Sequence, residues 1–412
     1  MAWRERMIQV AVLAAALFLP ASARAAEPVD CPEGVPTDAV CHRTQDARGA
    51  WLLFAKPANW NGVTILHAHG GPRLSPPKFD DPDEDLTRFS VLVREGYAWA
   101  ATNYRREGFG VRMAAEDVVS LSEIAPEVLG EARLTILHGQ SWGGNVAAKT
   151  HELYAIRGDG TKRFDGVVLT SGVLAGGPEP YEFRAGLRAV YQYYCRNHPR
   201  PDEPPYELWR GLPEGAPAMK RADLEARVEE CTGLSKRPDE RTEAEAGRLR
   251  DILAASGVPE RTLLSHLLFA TNTFSDIVNK RLDGRNPFTN EGVRYTGTSD
   301  DDALNRGVQR FRADPEGARR LRYDSELTGR IVLPTVTLHA KDDPTAFVSL
   351  EQRYRDAVEA AGNGDLLVQH VTDEREHSKL ADEGYVRVFG EVVEWVDKRA
   401  TTELRGSAEH KH

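Results

Sequence analysis

The chain has no surplus of positive charge: 53 Lys and Arg stand against 63 Asp and Glu, a formal net charge of −10. A phosphate backbone needs basic side chains to displace its counterions, so this balance argues against a nucleic-acid partner. No Lys/Arg run with interleaved aromatics marks a local exception. Beyond the amino-terminal stretch there is no apolar run long enough to cross a membrane. Cysteine is scarce, at positions 31, 41, 195 and 231, and the four thiols do not fall into the close pairs that zinc sites use. No segment repeats at a fixed period. What is present, 41% hydrophobic and 28% charged residues over 412 positions, is the composition of an ordinary folded protein with a large core.

Residues 1–26 read as a secretory signal. Arg4 and Arg6 precede an apolar stretch from Met7 to Leu19, and Ala21-Ser22-Ala23 or Ala23-Arg24-Ala25 offers a small-residue cleavage site. The apolar part is short for a span, so no retained membrane anchor is expected. Cys31 lies too far along for lipid attachment. The expectation is a secreted or periplasmic protein, and such a compartment permits disulfides. Nearness in sequence suggests Cys31–Cys41 and Cys195–Cys231, although four cysteines allow three pairings.

The chain is organised around Gly139-Gln140-Ser141-Trp142-Gly143-Gly144. The apolar run Arg133–His138 ahead of it reads as a buried strand, and Asn145–Leu153 after it reads as a helix. That context makes Gly-x-Ser-x-Gly a nucleophile elbow, a turn sharp enough to expose the serine oxygen. Side chains at Gly139 and Gly143 would collide with the neighbouring strand and helix. The helix also directs its amino terminus at the site, which favours negative charge there.

Further strands are expected at Trp51–Ala55, Val63–Ala68, Tyr97–Thr102, Phe164–Ser171, Ile331–His339 and Leu366–His370, with helices near Leu86–Val93, Ala114–Leu129, Ser349–Ala361 and Ala381–Lys398. Pro334 favours an edge or early-strand position for the first half of its segment. Strands alternating with helices predict an α/β fold, a mostly parallel sheet with helices on both faces. The alternation stops between Gly176 and Gly329, where helices are expected at Tyr181–Cys195, Arg221–Cys231, Thr242–Ala255, Arg261–Asn279 and Asp301–Phe311. We read a signal at 1–26, the first part of the core at 27–176, an inserted helical cap at 177–329, the second part of the core at 330–403 and a flexible tail at 404–412. A cap acting as a separate domain is the alternative.

Serine is a weak nucleophile at neutral pH, so Ser141 needs a base. His377, in the polar loop after the last strand, is the first candidate and His370, at the strand end, the second. The histidine in turn needs a carboxylate. Asp343, before Pro344, is favoured over its neighbour Asp342, which stays open. Negative charge developing on the substrate oxygen needs amides already aimed at it, and the backbone N–H groups of Trp142 and Gly71 are the candidates. Gly71 belongs to a second glycine-rich turn, His69-Gly70-Gly71-Pro72, at the end of another parallel strand. The order Ser141, Asp343, His377 is that of a triad on this type of sheet.

With these residues in view, the chain resembles the α/β-hydrolase superfamily over about 51–400, least closely in the cap. His69-Gly70-Gly71-Pro72, Asn103-Tyr104-Arg105, the Ser141 turn, Asp343 and His377 look like the corresponding parts of the prolyl-oligopeptidase-like branch and its esterase relatives. The resemblance implies a serine nucleophile, an acyl-enzyme intermediate and no metal or organic cofactor. There are two departures: no room ahead of the sheet for the propeller of the long oligopeptidases, and Glu376 where a glycine often precedes the histidine. The expected function is hydrolysis of carboxylic esters, of small or oligomeric substrates, with the cap aromatics offering a surface for apolar or aromatic groups. A peptidase or amidase using the same residues, and a noncatalytic binding protein on the same fold, are the alternatives.

Overall fold

The computed structural model describes residues 25–409; most of the expected signal, residues 1–24, and the last three positions of the expected tail lie outside them. Nine strands form one sheet: β1 (Glu27–Val29), β2 (Val40–Gln45), β3 (Trp51–Lys56), β4 (Val63–Ala68), β5 (Ala98–Thr102), β6 (Leu134–Gln140), β7 (Gly166–Thr170), β8 (Thr335–Ala340) and β9 (Leu367–Thr372). Their spatial order is β1-β2-β3-β5-β4-β6-β7-β8-β9. The three pairings from β1 to β5 are antiparallel and the five from β5 to β9 are parallel. With a helical insertion between β7 and β8, this is the α/β-hydrolase fold.

The strands are buried on both faces because their apolar side chains alternate between two cores. Leu52, Phe54, Leu66, Leu137, Val167 and Leu169 enter one cluster, with the helices Val111–Leu129 and Trp142–Tyr154. Leu53, Ala55, Ile65, Ile136 and Val168 enter the other, with Phe89 from the turn between two short helices and Tyr385, Phe389 and Val392 from the closing helix on the opposite side. The near-continuous apolar runs of the sequence reflect this two-sided burial.

The insertion carries helices at Glu179–Cys195, Arg221–Thr232, Glu243–Ser256, Leu263–Leu268, Asp301–Gly307 and Pro315–Ser325. Leu187, Val190, Ile252 and Phe274 of the insertion belong to the same hydrophobic cluster as Phe54 and Leu66 of the sheet. Polar ties reinforce that packing: Asp324 accepts hydrogen bonds from the N–H groups of Val111 and Arg112, and Asp276 from that of Phe109.

Several elements differ from the expectation. β1 and β2 add an antiparallel edge whose mixed sequence lacks a continuous apolar run. The helix expected at Leu86–Val93 is two short ones, Asp83–Arg88 and Ser90–Arg94, broken at Phe89. The segment expected to be one helix at Arg261–Asn279 opens into wide π-helical turns over Phe269–Thr273 and Asp276–Arg281. Asp301–Phe311 is helical only to Gly307, and Pro315–Ser325 is a helix not foreseen. β8 begins at Thr335, so Pro334 lies just ahead of the ladder, where its missing N–H costs nothing. The closing helix spans Asp382–Glu409.

Both sequence-adjacent disulfides are present, Cys31–Cys41 and Cys195–Cys231. The second closes a loop of 36 residues and joins the first two cap helices. Chain-entropy reasoning gives such a bridge about 4 kcal/mol at most. The paired substitution Cys195→Ser, Cys231→Ser is expected to lower the unfolding free energy by about 2–4 kcal/mol in urea denaturation; an unchanged midpoint would contradict the bridge.

Candidate active site

Ser141 sits between β6 and the helix Trp142–Tyr154 with φ 60° and ψ −126°. Side chains rarely adopt this conformation, which costs about 1–3 kcal/mol. Three backbone hydrogen bonds hold it: Ser141 N–H to Thr170 O at 3.0 Å, and Gly144 and Val173 N–H to Ser141 O at 2.9 and 3.0 Å. The flanking glycines allow the close approach. A Cβ on Gly139 would lie 2.1 Å from Gly143 O, and one on Gly143 would lie 2.1 Å from Ala68 O.

His377 Nε2 lies 2.7 Å from Ser141 Oγ, and His377 Nδ1 lies 2.7 Å from Asp343 Oδ2. Three loops distant in sequence therefore form one hydrogen-bonded chain. The other carboxylate oxygen of Asp343 accepts from the N–H groups of Thr345 and Ala346 at 2.8 and 2.9 Å, so the turn after Pro344 fixes the side chain. Asp342 points elsewhere, 3.4 Å from Arg375, and its side chain is half exposed. His370 is engaged by Glu391 on the closing helix at 2.6 Å. Neither alternative lies in the chain of contacts to Ser141.

Gly71 and Trp142 line the same cleft as Ser141 and His377, about 310 Å3 in volume. Trp142 opens its helix, so its N–H has no acceptor within that helix. Gly71, at φ 75°, follows Gly70, whose Cβ would meet Gln140 Oε1 at 2.6 Å. The Tyr104 hydroxyl donates to His69 O at 2.9 Å, and His69 Nδ1 lies 2.6 Å from the buried Asp85, which together pin the turn. No cluster of three or more His, Cys, Asp or Glu side chains among the described residues is arranged to hold a metal ion.

The sequence reading missed the groups that hold the relay from behind and above. His339, fully buried on β8, has Nδ1 3.0 Å from Glu351 Oε1 and Nε2 3.4 Å from Asp343 Oδ2 and 2.7 Å from Ala346 O. Burial alone would lower its pKa, but the hydrogen bonds to Asp343 and Glu351 outweigh it and push it up to about 10. Asp343 is correspondingly held below the usual carboxylate range: burial opposes its ionisation, and His339 and His377 overcome that. From above, His266 reaches Pro344 O at 2.8 Å, Arg184 donates to Thr345 O at 2.9 Å, and Arg261 pairs with Glu376 at 3.0 Å. Glu376, the departure noted next to the histidine, thus serves as a tie to the cap. Gln140 donates to Ser378 Oγ at 3.0 Å. No local pattern marks these residues: the cap contacts join positions far apart in sequence, and the nearer partners of His339 meet it only through the turn after β8 and the helix beyond.

No protein-family model and no curated protein matches the chain. Solved structures similar to it include a mutant of the esterase E40 (11% identical, TM-score 0.44, covering 88% of this chain and 86% of that one). Esterase B from Lactobacillus rhamnosis is 12% identical with a TM-score of 0.43, over 93% of this chain and 91% of its own. The Pyrococcus furiosus esterase PF2001 is 14% identical with a TM-score of 0.40, over 92% and 98%. At these values no chemistry is carried over from them.

The raised pKa of His339 has a thermodynamic consequence. A histidine charged in the folded state up to about 10, against about 6.5 when unfolded, contributes stability that is complete below about 6.5 and lost as pH rises through the folded value. Between these limits unfolding releases its proton, and stability falls with a slope of at most about 1.4 kcal/mol per pH unit. Thermal unfolding of the wild type is expected to weaken from pH 7 to 10 more steeply than that of His339→Gln. Parallel curves would show that no buried imidazolium is present.

Proposed function

We propose that the protein is a serine-dependent hydrolase of carboxylic esters. The observation that carries this reading is the chain Ser141 Oγ, His377 Nε2, His377 Nδ1, Asp343 Oδ2, with 2.7 Å at both links, opening on a cleft. In this scheme Ser141 attacks the ester carbonyl as His377 takes its proton, and the N–H groups of Trp142 and Gly71 receive the charge that forms on the carbonyl oxygen. Asp343 keeps Nδ1 protonated, so that Nε2 is the basic nitrogen, and stabilises the imidazolium. His377 then protonates the departing alcohol, leaving the acyl group on Ser141. Water activated by the same nitrogen releases the acid and restores the serine.

The cleft walls include Val173, Tyr181 and Phe269, the last two stacked with ring centroids 5.6 Å apart. This supports substrates with an apolar or aromatic part. Within the α/β-hydrolases, the motifs around Gly71, Tyr104 and Ser141 favour the prolyl-oligopeptidase-like branch and its esterase relatives. The amino-terminal signal pattern and the two disulfides support a secreted or periplasmic location.

Purified protein is expected to hydrolyse short acyl esters faster than matched aminoacyl amides and to be labelled by a serine-directed phosphonate. Ser141→Ala should abolish labelling and lower kcat by about 10^4-fold or more. Retained hydrolysis in that variant would refute the mechanism, and faster amide cleavage would favour a peptidase. Asp343→Asn should lower kcat by about 10^3 to 10^4-fold, whereas Asp342→Asn, which alters only a surface ion pair, should change it by about twofold or less. Equal effects of the two would refute the assignment of the carboxylate.

A further inference from the structure

Arg184, on the cap helix Glu179–Cys195, is 6% exposed and lines two cavities. One is the cleft that holds Ser141 and His377. The other, about 240 Å3, is walled by Phe183, Phe347 and Leu350, and shares Val173, Arg184 and Thr345 with the first. Arg184 is therefore part of the partition between the reacting serine and an adjoining chamber, whose own charged side chains, Glu179 and Arg353, pair with each other at 2.7 Å.

Its protein partners are all neutral. Nε donates to His266 Nδ1 at 3.1 Å, Nη1 to Pro180 O at 3.1 Å and Nη2 to Thr345 O at 2.9 Å. The rings of Phe183 and Phe269 lie 4.4 and 4.6 Å from its central carbon. His266 Nε2 faces Pro344 O, so that nitrogen carries the proton and Nδ1 accepts from Arg184. Burial, with Arg184 adding to it, pushes the His266 pKa down to about 3, so the ring is neutral. Among the described residues no carboxylate forms an ion pair with Arg184. A guanidinium has five N–H donors; after these three contacts one remains on each terminal nitrogen.

Burial of a cation without a counterion is costly, and paired charges are the usual solution. Arg188, one turn further along the helix, is also buried on neutral acceptors, His198 O and the Tyr206 hydroxyl, but it lines neither cavity. The location of Arg184 is what distinguishes it. The other cation in the cleft, Arg88, is already paired with Glu84 at 2.9 Å and contacts Gln140. A second, independent feature lies beside Arg184: Tyr181 lines the same cleft, is 2% exposed, and among the described residues its buried hydroxyl has no hydrogen-bond partner. Burial raises that phenol's pKa, so it remains a donor.

We propose that Arg184, with the Tyr181 hydroxyl, forms a subsite for a carboxylate carried by the substrate apart from the ester itself, so that the preferred substrates are anionic esters with an apolar body. This rests on the hydrolase reading above. One free N–H on each terminal nitrogen matches the two oxygens of a carboxylate. The aromatic walls accept the body of the molecule, and the anion supplies the direct ion pair that Arg184 lacks among the described residues, where the field of Asp343 opposes the cost of its burial.

The test uses matched pairs of esters. On the acyl side, the mono-4-nitrophenyl ester of glutarate is compared with its methyl-capped neutral counterpart; on the alcohol side, 4-acetoxybenzoate is compared with its methyl ester. The wild type is expected to favour the anionic member by about thirtyfold or more in kcat/KM in at least one pair, and Arg184→Met should erase that preference mainly through KM. Arg184→Lys should recover part of it, and added salt should shrink it in the wild type. A neutral preference in both pairs, or a loss in Arg184→Met equal for both members, would overturn the subsite and leave the hydrolase reading standing. If Arg184→Met does not fold, protection of wild-type Ser141 from a neutral phosphonate by glutarate decides the matter; no protection, or equal protection by inorganic phosphate, would overturn the carboxylate assignment. Failure of the wild type to hydrolyse any of the four esters would overturn both readings.

Discussion

The backbone of Ser141 is the constraint on which the rest of the site depends. At φ 60° and ψ −126° it occupies a conformation that a free chain avoids, and only a surrounding structure that over-determines it keeps it there. That surrounding structure is the parallel sheet. Thr170, at the end of β7, accepts the Ser141 N–H, and Val173, just beyond it, donates to the Ser141 carbonyl. β4 contributes from the other side, since Ala68 O and His69 O stand where a side chain on Gly143 would have to go. Parallel strands bring their carboxyl ends to one edge, so the conditions that set the serine also bring the turns carrying Gly71 and Asp343 to it.

The cap is coupled to that edge by hydrogen bonds as well as by packing. Arg184 and His266 hold the turn that presents Asp343, while Arg261 holds the loop that presents His377. Thr262 adds a contact to Pro344 O at 3.3 Å. A shift of the cap helices would therefore displace the carboxylate turn and the histidine loop along with the cleft walls. Substrate access and relay geometry are in this sense one mechanical problem, and the polar ties of Asp324 and Asp276 to the helix Val111–Leu129 and its approach limit that shift.

The fold was largely legible in the sequence, because two-sided burial produces apolar runs that alternate with helices. The Ser141 turn was legible because its glycines are required locally. Asp343 was favoured over Asp342 by its place before Pro344, and His377 over His370 by its place in the loop rather than at the strand end, but sequence alone left both alternatives open because the deciding difference is three-dimensional placement. The structure separates them through remote partners, Arg375 for Asp342 and Glu391 for His370. The helix Pro315–Ser325 carried a readable signal, Asp314 capping Gly317 N–H with proline at the first turn. β1 and β2 carried none, because an antiparallel edge does not need a continuous apolar run. Arg184, His266, Glu351 and His339 were silent for a different reason: a buried polar group is recognised by what it touches, and these contacts span from 4 to 161 positions.

The arrangement behind Asp343 bears on how a buried carboxylate can serve a neighbouring histidine. Asp343 is shared between His377 on the cleft side and His339 on the core side. A charged His339 taken alone would cancel the carboxylate and weaken its hold on an imidazolium at His377. Glu351 engages His339 from the other side. It contacts His339 at 3.0 Å, and its other oxygen accepts from Thr337 and Gln369, each at 2.6 Å. Glu351, His339 and Asp343 thus form one hydrogen-bonded line running inward from the cleft, and both carboxylates have further donors. A lone buried aspartate would have to lose its hydration unaided. Here Asp343 is met by His377, by His339 and by two backbone N–H groups, and these together outweigh the burial that would otherwise neutralise it, so the carboxylate keeps the sign that an imidazolium at His377 requires.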